Sequence, residues 1–373
     1  MSGRERPRHG GSPVGSVREV IPMREARFYE RREDGRVRCT LCAQYCDIKP
    51  GKRGVCGVRE NRDGALYAMN YGLVVAANND PIEKKPFFHL YPGAWALSVA
   101  TVGCNFRCTF CQNWDISQMS KGIDRRIAGQ YTEPQAITQA AVRARCRAVA
   151  FTYSEPTIFY EWAYDIATET TKLGILNVFV TNGYIAPEPL REISPYLHGA
   201  NVDLKAFSDK SYRKVMGAPG LQPVLDSLVL MKQLGIWVEV TTLVVPTRND
   251  SEGELRDIAR FVSRELGPET PWHVSRFHPQ FKDTDLPPTP IATLRRAYEI
   301  GREEGLRYVY TGNVPGDEAE HTFCHSCGAL LIRRMGFRIE RNVVTADGLC
   351  PKCGTPVAGV GMGEDPMLPM GTS

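Results

Sequence analysis

Residues 97–111 read Leu-Ser-Val-Ala-Thr-Val-Gly-Cys-Asn-Phe-Arg-Cys-Thr-Phe-Cys. The first six residues form a short apolar run that is typical of a buried β-strand. The cysteines that follow, Cys104, Cys108 and Cys111, have the spacing C-x3-C-x2-C. Three thiolates can bind three irons of a four-iron, four-sulfur cluster, whereas a self-contained cluster takes four. The stretch therefore predicts a strand that leads into a cluster-binding loop with one open iron, although taken in isolation it could also supply three ligands of a zinc site.

Short apolar runs alternate with helical patterns between about residues 88 and 313. The predicted strands are 97–102, 148–153, 177–181, 201–205, 237–245, 272–277 and 307–310. The predicted helices are 157–173, 187–193, 223–234, 252–266 and 290–304. This alternation predicts an α/β fold with a parallel sheet. Because polar residues cluster at the carboxyl ends of the strands, a partial or complete β/α barrel is favoured over a doubly wound sheet.

A second cysteine set lies near the carboxyl end of the chain, and it consists of two C-x2-C pairs separated by 22 residues: Cys324, Cys327, Cys350 and Cys353. Four thiolates close a tetrahedral site, so the pattern predicts a zinc ribbon, with iron in a rubredoxin-like site as the alternative. A third set near the amino end has the spacing C-x2-C-x3-C-x9-C: Cys39, Cys42, Cys46 and Cys56. It also predicts a metal site, but its spacing does not separate zinc from an iron–sulfur cluster.

The overall composition indicates which compartment and partners to expect. Eleven of the twelve cysteines belong to these three sets, and only Cys146 stands alone, as expected for a buried structural thiol. Residues 1–15 lack an apolar signal segment, so metal ligation in a reducing cytoplasm is favoured over disulfides. No run approaches the roughly 18 apolar residues needed to span a membrane. The net charge of +4 is too small to argue for a nucleic-acid partner.

The cysteine sets and the core together predict five segments. Residues 1–24 are expected to be a disordered tail, and 25–88 a small cysteine-rich metal module. Residues 89–316 would form the β/α core and 317–360 the zinc ribbon, followed by a tail at 361–373.

The loop Gly-Cys-Asn-Phe-Arg-Cys-Thr-Phe-Cys-Gln-Asn at 103–113 resembles that of the radical S-adenosylmethionine (radical SAM) superfamily. The resemblance implies a [4Fe-4S] cluster whose open iron chelates the amino and carboxylate groups of S-adenosyl-L-methionine. One electron then cleaves the cofactor to methionine and a 5′-deoxyadenosyl radical, which abstracts hydrogen from a substrate. Phe110, in the second gap between cysteines, is expected to line the cofactor site.

The resemblance continues at the ends of later strands. Tyr153, Ser154 and Glu155 stand where the superfamily commonly has Gly-Gly-Glu, a turn that presents oxygens to the cofactor's ammonium group. Thr181 and Asn182 end the third predicted strand and match residues that contact the ribose or the methionine carboxylate. The alternative for Glu155 is an acid placed at a helix amino terminus, where the macrodipole favours it.

Two more positions complete the expected cofactor site. Asp203 and Lys205 share one face of the fourth strand, and a plain ion pair is their alternative role. His278, at the end of the sixth strand, fits a ribose contact, and the alternative is a core or loop histidine. The pyruvate formate-lyase-activating branch has an aspartate where Val180 stands, so one polar contact must differ.

Residues 110–118, 152–157 and 308–316, with the terminal ribbon, are similar to the radical SAM enzyme of the AmmeMemoRadiSam system. The resemblance covers roughly residues 25–360 and implies an enzyme that uses an electron donor such as flavodoxin or ferredoxin. Its substrate is not identified, and a protein or an RNA would fit. One alternative is the activation of a glycyl-radical enzyme. Another is a zinc-stapled scaffold or nucleic-acid-binding protein without redox chemistry.

Overall fold

The computed structural model describes residues 23–367. The tail expected at residues 1–24 therefore lies almost wholly outside the described residues, as do the last six residues of the chain. A nine-stranded sheet dominates the fold, and three smaller three-stranded sheets lie before and after it in sequence.

The strands of the large sheet are β7 (Leu73–Pro81), β8 (Trp95–Thr101), β9 (Gln130–Tyr131), β10 (Ala148–Phe151), β11 (Leu176–Thr181), β12 (Gly199–Asp203), β13 (Trp237–Val244), β14 (Trp272–Arg276) and β15 (Val309–Gly312). The strands of the small sheets are β1 (Arg24–Glu25), β2 (Tyr29–Arg31), β3 (Val37–Cys39), β4 (Asp47–Ile48), β5 (Arg59–Arg62), β6 (Ala65–Ala68), β16 (Thr322–Phe323), β17 (Leu330–Met335) and β18 (Arg338–Asn342). The α-helices are α1 (Trp114–Ser117), α2 (Pro134–Arg143), α3 (Tyr160–Lys172), α4 (Pro187–Ile193), α5 (Asp209–Ser211), α6 (Gln222–Gln233), α7 (Glu252–Phe261) and α8 (Ile291–Glu303).

Seven strands of the large sheet are parallel and follow the chain in the order β8, β10, β11, β12, β13, β14, β15. Their residues are buried almost throughout, as in β10, where all four side chains are shielded. Such continuous apolar runs are typical of parallel strands covered by helices on their faces. The predicted α/β class is confirmed, and each predicted core strand is present with bounds that shift by up to two residues.

The edge of the large sheet differs from the prediction. Strand β7 pairs antiparallel with β8, for example Ala77 with Val99, and β9 pairs antiparallel with β7. The expectation that residues 25–88 form a separate module is therefore incorrect for residues 73–81. The Asn-Asn-Asp segment of β7 is polar and partly exposed, so its apolar periodicity is too weak to announce a strand.

The carboxyl-terminal residues pack against the core around Arg334. This side chain is fully buried, and its guanidinium lies 4.1 Å from the ring centroid of Phe88. It donates to the Phe88 carbonyl at 2.9 Å and to the Thr322 hydroxyl at 2.7 Å. Residues 361–367 were expected to be part of a tail. The start of this segment is packed instead, because Met362 is buried and its carbonyl accepts from the Asn342 side chain.

Glu83 is a buried acid in the same region. Its Oε1 accepts from the Gly93 amide at 2.8 Å, whereas its Oε2 has no partner among the described residues. Burial raises the pKa of this carboxyl to about 7, and the Arg334 charge only partly opposes the shift.

We expect the free energy of unfolding of the wild type, relative to a Glu83→Gln variant, to fall as pH rises from about 4.5 to about 7. In that window the unfolded carboxyl is ionised while the folded one stays protonated, so the folded state binds more protons. The expected change is roughly 3 kcal/mol. Denaturant unfolding of both proteins across this range measures it, and parallel stability curves would contradict the assignment.

Within residues 23–367, no helix is both long enough and apolar enough to cross a membrane.

Candidate active site

The three cysteines of the first motif lie on the loop between β8 and α1. Gly103, which precedes them, has φ +107°, and a Cβ there would lie 2.8 Å from Val58 Cγ1. Glycine is therefore required to let the loop turn against the amino-terminal residues. Cys104 and Cys108 are buried and Cys111 is half-buried.

Protein donors already surround these sulfurs. The Phe106 amide donates to Cys104 Sγ at 3.3 Å, and the Asn182 side-chain amide approaches the same sulfur at 3.7 Å. Cys111 Sγ lies 3.1 Å from the Ser117 hydroxyl. Burial raises the pKa of Cys108 to about 12, with the nearby Lys205 charge opposing the shift. A bound metal cation would favour the thiolate forms, so the donor set fits a cluster.

A cavity of about 270 Å³ opens beside the three cysteines. Eight of the nine predicted cofactor residues line it: Phe110, Tyr153, Ser154, Glu155, Thr181, Asn182, Asp203 and Lys205. These residues end or follow four different strands, and parallel strands bring their carboxyl ends to one edge of the sheet.

His278 is the predicted residue that does not line this cavity. Strand β14 ends at Arg276, two residues earlier, and the His278 side chain is exposed. Its carbonyl accepts from the Gln112 side chain at 3.3 Å. A ribose contact through this imidazole therefore lacks geometric support and stays a prediction.

Glu155 is buried, and its carboxylate joins the ends of two strands. Its Oε1 accepts from the Thr157 amide at 3.1 Å and from the Thr157 and Thr181 hydroxyls at 2.7 Å each. Its Oε2 accepts from the Asn182 amide at 2.9 Å. Three of these donors converge on Oε1, whereas Oε2 accepts one and keeps an acceptor position open. Glu155 therefore holds the Thr181–Asn182 turn in place.

Asp203 and Lys205 form an ion pair, with 2.7 Å between Oδ2 and Nζ. Burial opposes the Lys205 charge, but the Asp203 carboxylate and the Cys108 sulfur raise its pKa above the ordinary value. Both side chains line the cavity beside the cysteines. The arrangement places one cation and one anion where a zwitterionic ligand would need both.

Tyr153 adopts φ +64°, a left-handed conformation that strains a non-glycine residue. The superfamily motif has glycine at this position, so the backbone conformation fits although the residue differs. The Tyr153 hydroxyl donates to Asp80, and Lys85 Nζ lies 4.1 Å from the centre of its ring. Asn113 donates to the Tyr153 carbonyl at 2.9 Å, which ties the turn to the cysteine loop.

Several residues around the cavity were not anticipated. Gln112, Asn113 and Ser117 follow the third cysteine directly, so their proximity to the motif was the available signal. Thr241 and Ser275 lie on β13 and β14, and no motif in their sequence surroundings marked either hydroxyl as part of a site. Asp80 and Lys85 belong to the segment that sequence analysis assigned to a separate module.

The two four-cysteine sets differ in geometry. Within residues 23–367, the carboxyl-terminal set is the one group of metal-binding side chains whose ligand atoms all lie within 4.8 Å of one another. Its sulfurs are 3.6 Å apart for Cys324 and Cys353 and 3.8 Å apart for Cys327 and Cys350. This set can hold a metal ion. The amino-terminal set lines a separate small cavity close to Asn105.

The chain is similar to a known protein family and to individual proteins. A family model described as the radical SAM superfamily matches residues 98–262. The chain is 48% identical over 336 residues to an uncharacterised protein of Methanocaldococcus jannaschii, covering 90% of this chain and 99% of that protein. It is 25% identical over 160 residues to the pyruvate formate-lyase-activating enzyme of Clostridium pasteurianum, covering 43% of this chain and 66% of that enzyme.

Among solved structures, the chain is similar to Streptococcus suis SuiB bound to S-adenosylmethionine. The TM-score is 0.47 and the sequence identity 15%, with 62% of this chain and 53% of SuiB covered.

Proposed function

The chain belongs to the radical SAM superfamily and is an enzyme, and from this premise we propose that it cleaves S-adenosylmethionine reductively at the cavity beside Cys104. The observation that carries the proposal is that three cysteines and eight predicted cofactor residues line a single cavity. When bound, a four-iron cluster with an open iron supplies the electron that generates a 5′-deoxyadenosyl radical from the cofactor.

The residues of the chain divide the remaining work. Cys104, Cys108 and Cys111 would hold the cluster. The Asp203–Lys205 pair would meet the charged ends of the methionine moiety, and Phe110 would shield the site from water. Glu155 fixes the Thr181–Asn182 turn against the Cys104 sulfur. His278 stays a predicted ribose contact from outside the cavity.

The direct test is an anaerobic assay of reconstituted protein with S-adenosylmethionine and dithionite. We expect reductant-dependent 5′-deoxyadenosine together with an equal amount of methionine. Protein that carries a full complement of iron and sulfide but releases neither product would refute the proposal.

We propose further that the chain is the radical SAM enzyme of the AmmeMemoRadiSam system, with a partial β/α barrel core at residues 89–316. Its motifs at residues 110–118, 152–157 and 308–316 support this assignment. A low-potential carrier such as flavodoxin or ferredoxin would supply electrons, and a protein or RNA would supply the abstracted hydrogen. The twelve free cysteines fit a reducing compartment, for which we propose the cytoplasm.

The alternative function is activation of a glycyl-radical enzyme. The similarity to a pyruvate formate-lyase-activating enzyme favours it. Its signature would be a persistent glycyl radical, detected by electron paramagnetic resonance, on a candidate partner incubated with the reduced enzyme and S-adenosylmethionine. A partner that yields 5′-deoxyadenosine but no glycyl radical would instead be an ordinary substrate.

For the carboxyl-terminal cysteines we propose a zinc ribbon over residues 317–360. Four sulfurs at about 2.3 Å from one zinc lie about 3.8 Å from each other. The Cys324–Cys353 and Cys327–Cys350 separations of 3.6 and 3.8 Å fit that spacing.

We expect a Cys350→Ser variant to lose about one zinc per chain and to melt at a lower temperature, because a closed structural site contributes its binding energy to folding. Elemental analysis and thermal unfolding measure both effects, with Cys146→Ser as the matched control outside the three sets. An unchanged zinc content in Cys350→Ser would contradict the ribbon.

A further inference from the structure

The four amino-terminal cysteines surround a small cavity next to the loop that carries Cys104. We propose that Cys39, Cys42, Cys46 and Cys56 bind a second iron–sulfur cluster that exchanges electrons with the cluster at Cys104. The binding of this cluster stands independently, whereas the electron exchange rests on the function proposed above.

Backbone hydrogen bonds hold the cysteines of this site in place. Cys42 forms a β-bridge with Ile185, just beyond the Thr181–Asn182 turn of the active site. The Cys39 amide donates to the Cys46 carbonyl at 2.9 Å, and the Val55 amide approaches Cys46 Sγ at 3.4 Å. Cys39, Cys42 and Cys56 are buried and Cys46 is half-buried.

The spacing of the sulfurs favours a cluster over a single ion. Four thiolates on one zinc lie about 3.8 Å apart, as the carboxyl-terminal set does. The amino-terminal sulfurs do not come within 4.8 Å of one another as a group in the described part of the chain. All four cysteines instead line one small cavity. Thiolates that bind different irons of a cluster stand farther apart than ligands of one ion, so this wider set fits a cluster.

Two buried polar side chains that line this cavity carry N–H donors without hydrogen-bond partners among the described residues. Asn105 is fully buried, and its Nδ2 makes no hydrogen bond among the described residues. Arg59 is 1% exposed, and its Nε and Nη1 are likewise unpartnered although Nη2 pairs with Glu161. Both residues line the cysteine cavity. Buried donors normally find acceptors, and hydrogen bonds to cluster sulfurs would supply them. The Arg59 charge would also offset the negative charge of a four-thiolate cluster.

Asn105 connects this site to the catalytic loop directly. It follows Cys104 in the chain, and its Oδ1 accepts from the Asn182 side chain at 2.7 Å. Its carbonyl accepts from Gln44, between Cys42 and Cys46, at 2.9 Å. The Cys56 carbonyl accepts from Ser120 at 2.8 Å, and a Cβ on Gly103 would lie 3.3 Å from the same carbonyl. Asn105 thus lines the second cavity and is bonded directly to Cys104, a proposed ligand of the catalytic cluster.

The electron balance of this arrangement is simple. A reduced amino-terminal cluster loses one electron, and the oxidised cluster at Cys104 gains it. A low-potential one-electron carrier of the flavodoxin or ferredoxin class then restores the first cluster. Four protein ligands leave the amino-terminal cluster no open iron, so it would carry electrons rather than bind S-adenosylmethionine.

Metal and sulfide analysis of a Cys104→Ala/Cys108→Ala/Cys111→Ala variant tests the cluster itself. We expect about four irons and four sulfides per chain in this variant, against about eight of each in the wild type. A Cys42→Ala/Cys46→Ala variant should lose about four irons and four sulfides, those of the amino-terminal cluster. A Cys146→Ala variant should keep the wild-type iron and sulfide content. Circular dichroism would verify that each variant is folded. A folded triple variant that contains zinc without sulfide in the amino-terminal set, or no metal there, would overturn the proposal.

Electron paramagnetic resonance tests the exchange. In the reduced wild type we expect the two cluster signals to broaden each other, and S-adenosylmethionine to shift only the signal that the triple variant lacks. If the sum of the two variants' spectra reproduces the wild type, the clusters are independent and the exchange is refuted. These readouts need no turnover, so they separate this proposal from a failure of the proposed function.

Discussion

A Cys104→Ala variant is expected to lose reductive cleavage of S-adenosylmethionine by at least about 10³-fold, because removing one member of a catalytic unit removes the function of the whole unit. Cys104 is buried, and its sulfur accepts from the Phe106 amide and lies 3.7 Å from the Asn182 side-chain amide. The measurement is 5′-deoxyadenosine formed per chain under dithionite, after anaerobic reconstitution.

The matched control is Cys146→Ala, which removes the buried cysteine outside the three sets. Its sulfur lies 3.6 Å from Asn79 Oδ1 and does not line the active-site cavity. We expect wild-type cleavage and wild-type iron content from this protein. Equal activity in Cys104→Ala and Cys146→Ala would refute the role of the loop.

A Glu155→Gln variant is expected to lose about 2–4 kcal/mol of unfolding free energy. Four N–H and O–H groups now donate to the Glu155 carboxylate. The NH2 group of glutamine cannot accept a hydrogen bond, so at least one of these groups would lose its acceptor. The displaced Thr181–Asn182 turn also positions the Asn182 side chain beside the Cys104 sulfur. We therefore expect cleavage of S-adenosylmethionine to fall by about 10–100-fold, the usual cost of losing a residue that orients a metal ligand.

Denaturant unfolding and the 5′-deoxyadenosine assay measure these two effects separately. The exposed Glu188→Gln change is the matched control, and it should stay within about 0.5 kcal/mol of the wild type. A shift in the cluster's electron paramagnetic resonance signal would show that the substitution reaches the metal site. Unchanged stability in Glu155→Gln would mean that the four hydrogen bonds do not hold the turn.

Most of the predicted cofactor residues line one cavity, and the sequence could indicate them because their pattern is encoded locally. The spacing of Cys104, Cys108 and Cys111 and the strand before them lie within a 15-residue stretch. Residues such as Asp203 and Lys205 were found because each follows an apolar run, and parallel topology brings the ends of such runs together. The radical SAM family and an enzymatic role followed from the same residues and agree with the comparisons.

Other features depend on contacts between distant parts of the chain. The antiparallel strand β7 is polar, and its pairing with β8 decides that it joins the large sheet. His278 matches a strand end in sequence, but β14 stops two residues earlier and leaves it exposed. Tyr153 stands where the motif has glycine, and its hydroxyl bonds Asp80 of β7, a residue 73 positions away in the chain. No local pattern could have announced these results.

The sequence by itself thus determined the α/β class, the positions of the core strands and the three cysteine sets, since periodicity and ligand spacing act over a few residues. Only the tertiary structure decided how those sets are arranged. It brings the carboxyl-terminal sulfurs to the spacing of a single ion. Among the described residues it leaves the amino-terminal sulfurs wider apart, beside unpartnered N–H donors of Asn105 and Arg59. The reason is that burial, orphaned donors and sulfur separations arise from packing between segments far apart in the chain.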